Sequence, residues 1–239
     1  MLYDSQLLIS DAFNFLGGKL SNYEPTTGAD SLHATLRQQI WEGAFLPGDR
    51  VSIRGLAQSS GMSVIPVRDA VRRLVAEGAL CFIDSRTIEV PKLSLANHRD
   101  VLFARMQLEP EAGKRAFGQL TQTDLEQLIA YDMAVNEAIA MNDVNAYMRA
   151  NFAFHFHIYR KADAPVLLRL IEILWLQSGP SMRFIAGQYG AQTVTVDHHK
   201  EATDALTRRD RESFVSALRE DIAQGMEFIR NAELPELPK

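Results

Sequence analysis

Polar side chains recur on otherwise apolar helical faces in the second half of this 239-residue chain. Asn151 and His155 are four residues apart, so a helix would place both on one face. His199 and Asp221 occupy inward positions of two later apolar stripes. Burying such groups without partners costs roughly 2–7 kcal/mol each. Imidazole and carboxylate together suit a divalent metal, so the pattern indicates a metal shared by three helices.

The spacing leaves an alternative open at each of these positions. An inward histidine is often a hydrogen-bonded core residue, and an inward aspartate often pairs with an arginine. Two neighbouring histidines, His157 and His198, are expected to point elsewhere, as surface or second-layer residues.

The elements that must position these residues are all helical. Thr121 and Asp143 suit N-caps, and Pro165 suits a first helical turn. Gly190 is expected in the loop between the fourth and fifth helices. Short connections favour an antiparallel bundle. The six predicted helices span 96–118, 122–141, 143–161, 165–186, 193–208 and 210–231.

A different chemistry is indicated by residues 53–80, which read as two short helices joined by a tight turn. Gly61 suits the turn because a residue without Cβ adopts φ > 0 at no steric cost. Ser63 suits the N-cap of the second helix, and Pro66 falls in its first turn. This layout is that of a helix-turn-helix; an αα-hairpin with solvated arginines is the alternative. The arginines available for a basic face are Arg54, Arg68, Arg72, Arg73 and Arg86.

The flanking segments complete a winged module. A helix over 31–43 carries an apolar stripe, with Trp41 predicted to cover the joint between the helices. Two short strands, 79–83 and 87–90, enclose Asp84-Ser85-Arg86 and predict a β-hairpin wing.

The segment IWEGAFLPGDRVSIRGLAQSSGMSVIPVRDAVRRLVAEGAL resembles the winged helix-turn-helix of GntR-family transcription regulators. Arg54 and Arg68 match family positions that contact operator DNA. An arginine and a small polar residue usually follow Ser63, whereas Val64 and Ile65 stand here. We therefore expect an unusual set of base contacts. The DNA-binding residues implied are Arg54, Ser63, Arg68, Arg72 and Arg86.

Residues 96–231 resemble the FCD effector domain of the FadR-like branch, and six helices are closest to its VanR-type subgroup. The family markers correspond to Arg105-Met-Gln-Leu-Glu109, to Asn151-Phe-Ala-Phe-His155, and to His199 with Ala205 and Asp210. In many such domains an Asp or Asn and three histidines hold one divalent metal.

The resemblance implies a metal set of Asn151, His155, His199 and Asp221, with Asp221 in place of the last histidine. Zinc is the first expectation, and nickel, manganese or iron are also compatible with this donor set. Arg105 is expected to grip a carboxylate effector through two parallel hydrogen bonds. In the alternative, Arg105 pairs with Glu109, one turn on.

Charge and composition are compatible with a DNA-binding domain followed by an effector-binding domain. The net charge is −5, yet residues 29–92 hold eight Lys/Arg and seven Asp/Glu, whereas residues 93–239 hold sixteen and twenty. The single cysteine, Cys81, suits a reducing cytosol. No basic signal-peptide start and no apolar run near the ~20 residues of a membrane span is found. We expect a cytoplasmic protein that does not use a membrane.

The predicted fold is mainly α: an N-terminal winged helix-turn-helix followed by an all-α six-helix bundle. The predicted function is a metabolite-responsive transcription regulator, a repressor acting as a homodimer on operator DNA. A divalent metal and a small organic acid would bind its helical domain. The alternatives are a metal-dependent enzyme with an accessory winged module, and a constitutive DNA-binding dimer. The predicted segments are an arm (1–28), the winged domain (29–91), a linker (92–95), the helical domain (96–232) and a tail (233–239).

Overall fold

The computed structural model describes residues 27–189 and 196–233. The predicted arm therefore lies outside the described residues except for Thr27 and Gly28. Gly190 and the predicted tail beyond residue 233 lie outside them as well. Within the described ranges, no helix combines the length and the apolar character that crossing a membrane requires.

The N-terminal part folds as a winged helix-turn-helix, which confirms the predicted fold class. Gly61, the C-cap of the second helix, has φ of 65°, as expected for the turn. Ser63 occupies the N-cap of the third helix, but its hydroxyl makes no capping hydrogen bond, contrary to expectation. The three helices are α1 (Gly28–Trp41), α2 (Ile53–Ser60) and α3 (Val64–Ala76).

The wing is a three-stranded antiparallel sheet rather than the predicted hairpin alone. Its strands are β1 (Arg50–Ser52), β2 (Cys81–Phe82) and β3 (Thr87–Glu89), in the order β1-β3-β2. The added strand pairs Val51 with Ile88 and buries both side chains. The turn between β2 and β3 contains no glycine; the Asp84 carboxylate closes it by accepting hydrogen bonds from the backbone N–H groups of Arg86 and Thr87.

The C-terminal part consists, within the described ranges, of six helices and one 3-10 turn. Thr121 and Asp143 cap their helices as predicted, Thr121 through a reciprocal capping box. The fifth bundle helix begins at His198, later than predicted, because Asp197 caps it by accepting from the N–H of Lys200. The helices are α4 (Leu95–Ala116), α5 (Gln122–Ala140), α6 (Val144–Arg160), α7 (Pro165–Tyr189), α8 (His198–Thr207) and α9 (Arg211–Glu233), and the 3-10 turn is Phe117–Gln119.

Helix α1 joins the winged module to the bundle. The Trp41 ring stacks on Phe152 of α6 at 5.0 Å between centroids, and its Nε1–H donates to the Glu172 carbonyl. Trp41 therefore covers the contact with the bundle and not the helix-turn-helix joint, which corrects our expectation. Gly179 allows α7 to approach closely, since a Cβ there would lie 3.2 Å from the Ile40 carbonyl oxygen.

Candidate functional site

Three of the four predicted metal ligands converge in the bundle. The Nε2 atom of His155 lies 3.1 Å from Oδ2 of Asp221 and 3.2 Å from Nε2 of His199. The Nε2 atom of His199 lies 3.6 Å from Oδ1 of Asp221. Both imidazoles are buried. Helices α6, α8 and α9 thus each supply one ligand atom to a single point, as the three apolar stripes predicted.

A hydrogen-bonded chain fixes the proton on His155. The Tyr159 hydroxyl donates to Oε2 of Glu109 at 2.7 Å and lies 3.1 Å from Nδ1 of His155. Because a carboxylate only accepts, the Tyr159 proton points at Glu109 and its oxygen accepts the Nδ1–H of His155. Burial and Glu109 raise the pKa of Tyr159 well above 10, so the hydroxyl keeps its proton. With Nδ1 engaged by Tyr159, Nε2 is the ring nitrogen of His155 that can offer a lone pair to a metal, and it lies toward Asp221 and His199.

His199 is likewise suited to act as a neutral ligand. Its ring stacks on Phe154 at 3.9 Å between centroids, and burial lowers its pKa to about 4. Burial opposes ionisation of Asp221, but the neighbouring imidazoles outweigh it and hold the Asp221 pKa well below the ordinary value. The cluster therefore presents one carboxylate and two nitrogen donors, a donor set that fits a divalent cation.

Asn151, the fourth predicted ligand, borders the same place. It is buried and lines both cavities described below. Its side chain therefore lies beside the cluster, where the sequence predicted a fourth ligand.

Two adjoining cavities open beside the cluster. The larger has a volume of about 190 Å³, and the smaller about 20 Å³. Both are bordered by Tyr147, Asn151 and Asp221. The larger also touches His198, whose Nδ1 is held by Glu201, so His198 is a wall residue and not a cluster member. His157 points away and contacts Asp124, as predicted.

Arg105 borders the smaller cavity but already has partners. Its Nε lies 2.5 Å and its Nη2 3.4 Å from the two carboxylate oxygens of Glu109, which is fully buried. Its guanidinium also lies over the Trp175 ring. These contacts favour the alternative in which Arg105 pairs with Glu109 and so anchors the chain that orients His155.

The sequence reasoning missed Tyr159 as part of this site. Tyr159 follows His155 by four residues and therefore shares its helical face, which is the signal that would have found it.

The sequence reasoning also missed Asp132, which lies 3.7 Å from Nδ1 of His199. Burial and the nearby Asp197 raise the pKa of Asp132 to about 6.

The exposed end of the helix-turn-helix is apolar at its tip and basic along its side. Val67 and Ala70 fix α3 in the core, whereas Ile65 is 81% exposed. The Arg68 Nη2 donates to the Ser85 carbonyl of the wing turn at 2.8 Å, which links the third helix to the wing. Arg54, Arg72 and Arg86 are exposed, whereas Arg73 pairs with Asp30.

The winged module and the bundle are joined by polar contacts that spacing did not predict. Arg37 of α1 bridges Glu77, the C-cap of α3, and Glu172 of α7. Gln177 of α7 donates to the Glu77 carbonyl at 3.1 Å. The next residue, Ser178, lies 3.5 Å from Arg105. One helix therefore contacts both the end of α3 and the residues behind the cluster of His155, His199 and Asp221.

A winged helix-turn-helix module followed by an all-helical domain is the layout of a DNA-binding transcription regulator. Two family models divide the chain in the same way. The FCD domain matches residues 100–224, and the model "Bacterial regulatory proteins, gntR family" matches residues 29–90. The chain belongs to the GntR family of transcriptional regulators, in the branch that carries an FCD domain.

Individual relatives agree with this assignment. The chain is 28% identical to the transcriptional regulator McbR of Escherichia coli over 196 residues, covering 81% of this chain and 89% of McbR. It is 22% identical to the transcriptional repressor RspR of Escherichia coli over 83% of this chain and 87% of RspR. The solved structure of McbR/YncC superposes with a TM-score of 0.77 at 26% identity, over 87% of this chain and 99% of that one. These relatives are transcription regulators and not enzymes.

Proposed function

We propose that this protein is a metabolite-responsive repressor whose helical domain holds one divalent metal and a small carboxylate effector. The observation that carries the proposal is the convergence of His155, His199 and Asp221, whose ligand atoms lie within 4.8 Å of one another beside a cavity. A relative named as a repressor, RspR, favours repression over activation. The cytoplasm is the compartment in which such a regulator meets its operator.

The proposed metal ligands are Asn151, His155, His199 and Asp221. Zinc is the first choice, with nickel, manganese or iron as alternatives, since two oxygen donors among four select weakly. A divalent metal held there would offer remaining coordination positions to a carboxylate oxygen. The protein's own contribution is to fix the Nε2 lone pair of His155 through Tyr159 and to enclose the ligand within the bundle.

The proposed operator contacts are divided between the helix-turn-helix and the wing. Arg68 is placed on α3, near its start, and exposed arginines flank it on α2, α3 and the wing turn. An arginine on a base edge contributes ~1–3 kcal/mol of discrimination. The proposed contact residues are Arg54, Ser63, Arg68, Arg72 and Arg86.

The proposed assembly is a homodimer formed through the helical domain. Helices α4 and α7 pack against each other and expose large apolar side chains. Phe103 is 68% exposed, Val166 75% and Leu170 46%. Such side chains are favourable to bury in a subunit contact. A symmetric dimer places two winged modules on a two-fold-related operator.

The proposed domain division follows the chain. The winged domain spans 29–91, a short linker spans 92–95, and the helical domain spans 96–232. The tail, 233–239, and the arm, 1–28, belong to neither proposed domain.

The experiment that tests this function distinguishes a ligand sensor from a constitutive DNA-binding dimer. Thermal unfolding of the full chain is followed with zinc, with chelator, and with zinc plus each of a set of small carboxylates. A sensor gains stability from zinc and further stability from one or more acids, because a ligand bound only by the native state stabilises it. A melting temperature unchanged by every addition supports the constitutive alternative.

A further inference from the structure

The wall of the larger cavity is acidic beyond the metal-ligating cluster. Apart from Asp221, its charged lining residue is Asp197, and its lining includes no lysine or arginine among the residues the structure describes. Lys200, the nearest lysine along the chain, is tied to Asp204 at 2.7 Å and is exposed.

The single buried cation near the cluster is already neutralised, within the described ranges. Arg105 reaches the smaller cavity, but both carboxylate oxygens of Glu109 contact its guanidinium. Among the residues the structure describes, a second carboxylate on a bound ligand would therefore find no unpaired lysine or arginine in either wall. It would instead lie near the carboxylates of Asp221 and the exposed Asp197, and like charges at short distance repel.

The same wall offers hydrogen-bond acceptors. Asp197 presents a carboxylate that accepts from Lys200 N–H and from Nδ2 of Asn136, which leaves acceptor capacity unused. The buried side chain of Asn151 also lines this cavity and borders the smaller one. A ligand group that donates hydrogen bonds would satisfy this wall.

We infer that the effector is a small monocarboxylate whose remaining part carries a hydroxyl or ammonium donor directed at Asp197, and that dicarboxylates are excluded. This inference rests on the proposed metal-dependent effector site. It restricts the candidate effectors to sugar acids and hydroxy acids that carry one carboxylate, and it excludes short dicarboxylates.

The test is calorimetric titration of the zinc-loaded full chain with four acids that share a four-carbon backbone: butyrate, 4-hydroxybutyrate, 4-aminobutyrate and succinate. We expect a donor-bearing monocarboxylate to bind about tenfold or more tighter than succinate, because of charge repulsion at the wall. Succinate binding as tightly as both donor-bearing acids would overturn the inference.

The variant Asp197→Asn isolates the charge, since asparagine also serves as an N-cap and α8 keeps its first turn. It should narrow the difference in affinity between succinate and 4-hydroxybutyrate. Glu212→Gln, which removes an exposed charge in the first turn of α9, is the control and should leave this difference in affinity intact. If the difference in affinity between succinate and 4-hydroxybutyrate is the same in Asp197→Asn as in the wild type, the Asp197 carboxylate does not select against dicarboxylates.

Two further outcomes separate this inference from the function on which it rests. Zinc uptake without binding of either donor-bearing acid defeats the ligand class and leaves the metal site standing. Failure of the wild-type chain to take up zinc or another divalent ion defeats the metal site, and the ligand assignment fails with it.

Discussion

The hydroxyl of Tyr159 lies 3.1 Å from Nδ1 of His155, one helical turn away on the same face. The hydroxyl donates a hydrogen bond to the Glu109 carboxylate and accepts one from the imidazole, so it decides which ring nitrogen carries the proton. Ligand-orienting groups of this kind commonly change metal affinity by about 10–100-fold when removed. The site is therefore supported by a second layer of residues that the cluster alone does not reveal.

Replacing Tyr159 by phenylalanine should weaken zinc binding by about 10–100-fold, because the proton on His155 is no longer fixed at Nδ1. Zinc affinity is measured by competition with a chelating dye. Tyr131→Phe is the control, since Tyr131 meets His157 edge-on at the outer side of the bundle. Equal zinc affinity in wild type and Tyr159→Phe would show that the hydroxyl does not orient the ligand.

The double change His155→Ala with His199→Ala should abolish metal binding and remove the stabilisation that zinc provides. At a zinc concentration about 1,000 times the Kd, that stabilisation is about 4 kcal/mol. Elemental analysis and thermal unfolding with and without chelator measure both effects. His198→Ala, next to His199 but bonded to Glu201, should keep the metal. A double variant that retains one equivalent of metal would contradict the ligand assignment.

Replacing Arg68 by alanine should abolish specific operator binding while the dimer stays folded. The side chain offers a base-edge contact worth ~1–3 kcal/mol, and it also joins α3 to the wing through the Ser85 carbonyl. Mobility shift measures DNA affinity and size-exclusion chromatography checks assembly. Arg115→Ala, an exposed arginine of α4 paired with Glu111, is the matched control. Unchanged operator affinity in Arg68→Ala would remove this residue from the interface.

The operator should be set in part by the apolar tip of α3. Val64 and Ile65 cannot donate hydrogen bonds, but they are exposed and can contact thymine methyl groups. Selection from a random DNA pool should yield a half-site unlike that of relatives with arginine at position 64. Val64→Arg should shift the preference toward guanine. Recovery of the same half-site with both proteins would sink this prediction.

Much of the fold was predictable because its signals are local. Thr121 and Asp143 cap their helices through their own side chains, and Gly61 adopts the positive φ that its turn demands. The cluster was predictable for a related reason: helical spacing alone places His155 and Asp221 on inward faces. Helical spacing does not give the short distances between the His155, His199 and Asp221 side chains, which depend on how three separate helices pack.

The features that were missed depend on contacts between distant segments. Strand β1 is three residues long and is created by its pairing with β3, so the sequence of 50–52 carries no strand signal of its own. The sequence shows that a helical face is apolar but not which element packs against it. The prediction that Trp41 covers the helix-turn-helix joint was therefore wrong, since its ring packs on the bundle. The pairing of Arg105 with Glu109 was an open alternative because either role requires the same residue.

The central claim is that the state of the helical site controls DNA binding. The most direct measurement is the operator Kd of the full chain, by fluorescence anisotropy on the selected site, with zinc, with chelator, and with zinc plus each carboxylate of the screen. We predict a change of about fivefold or more between at least two of these conditions, and none in the His155→Ala, His199→Ala variant. An identical Kd for the wild type under every condition would contradict the account.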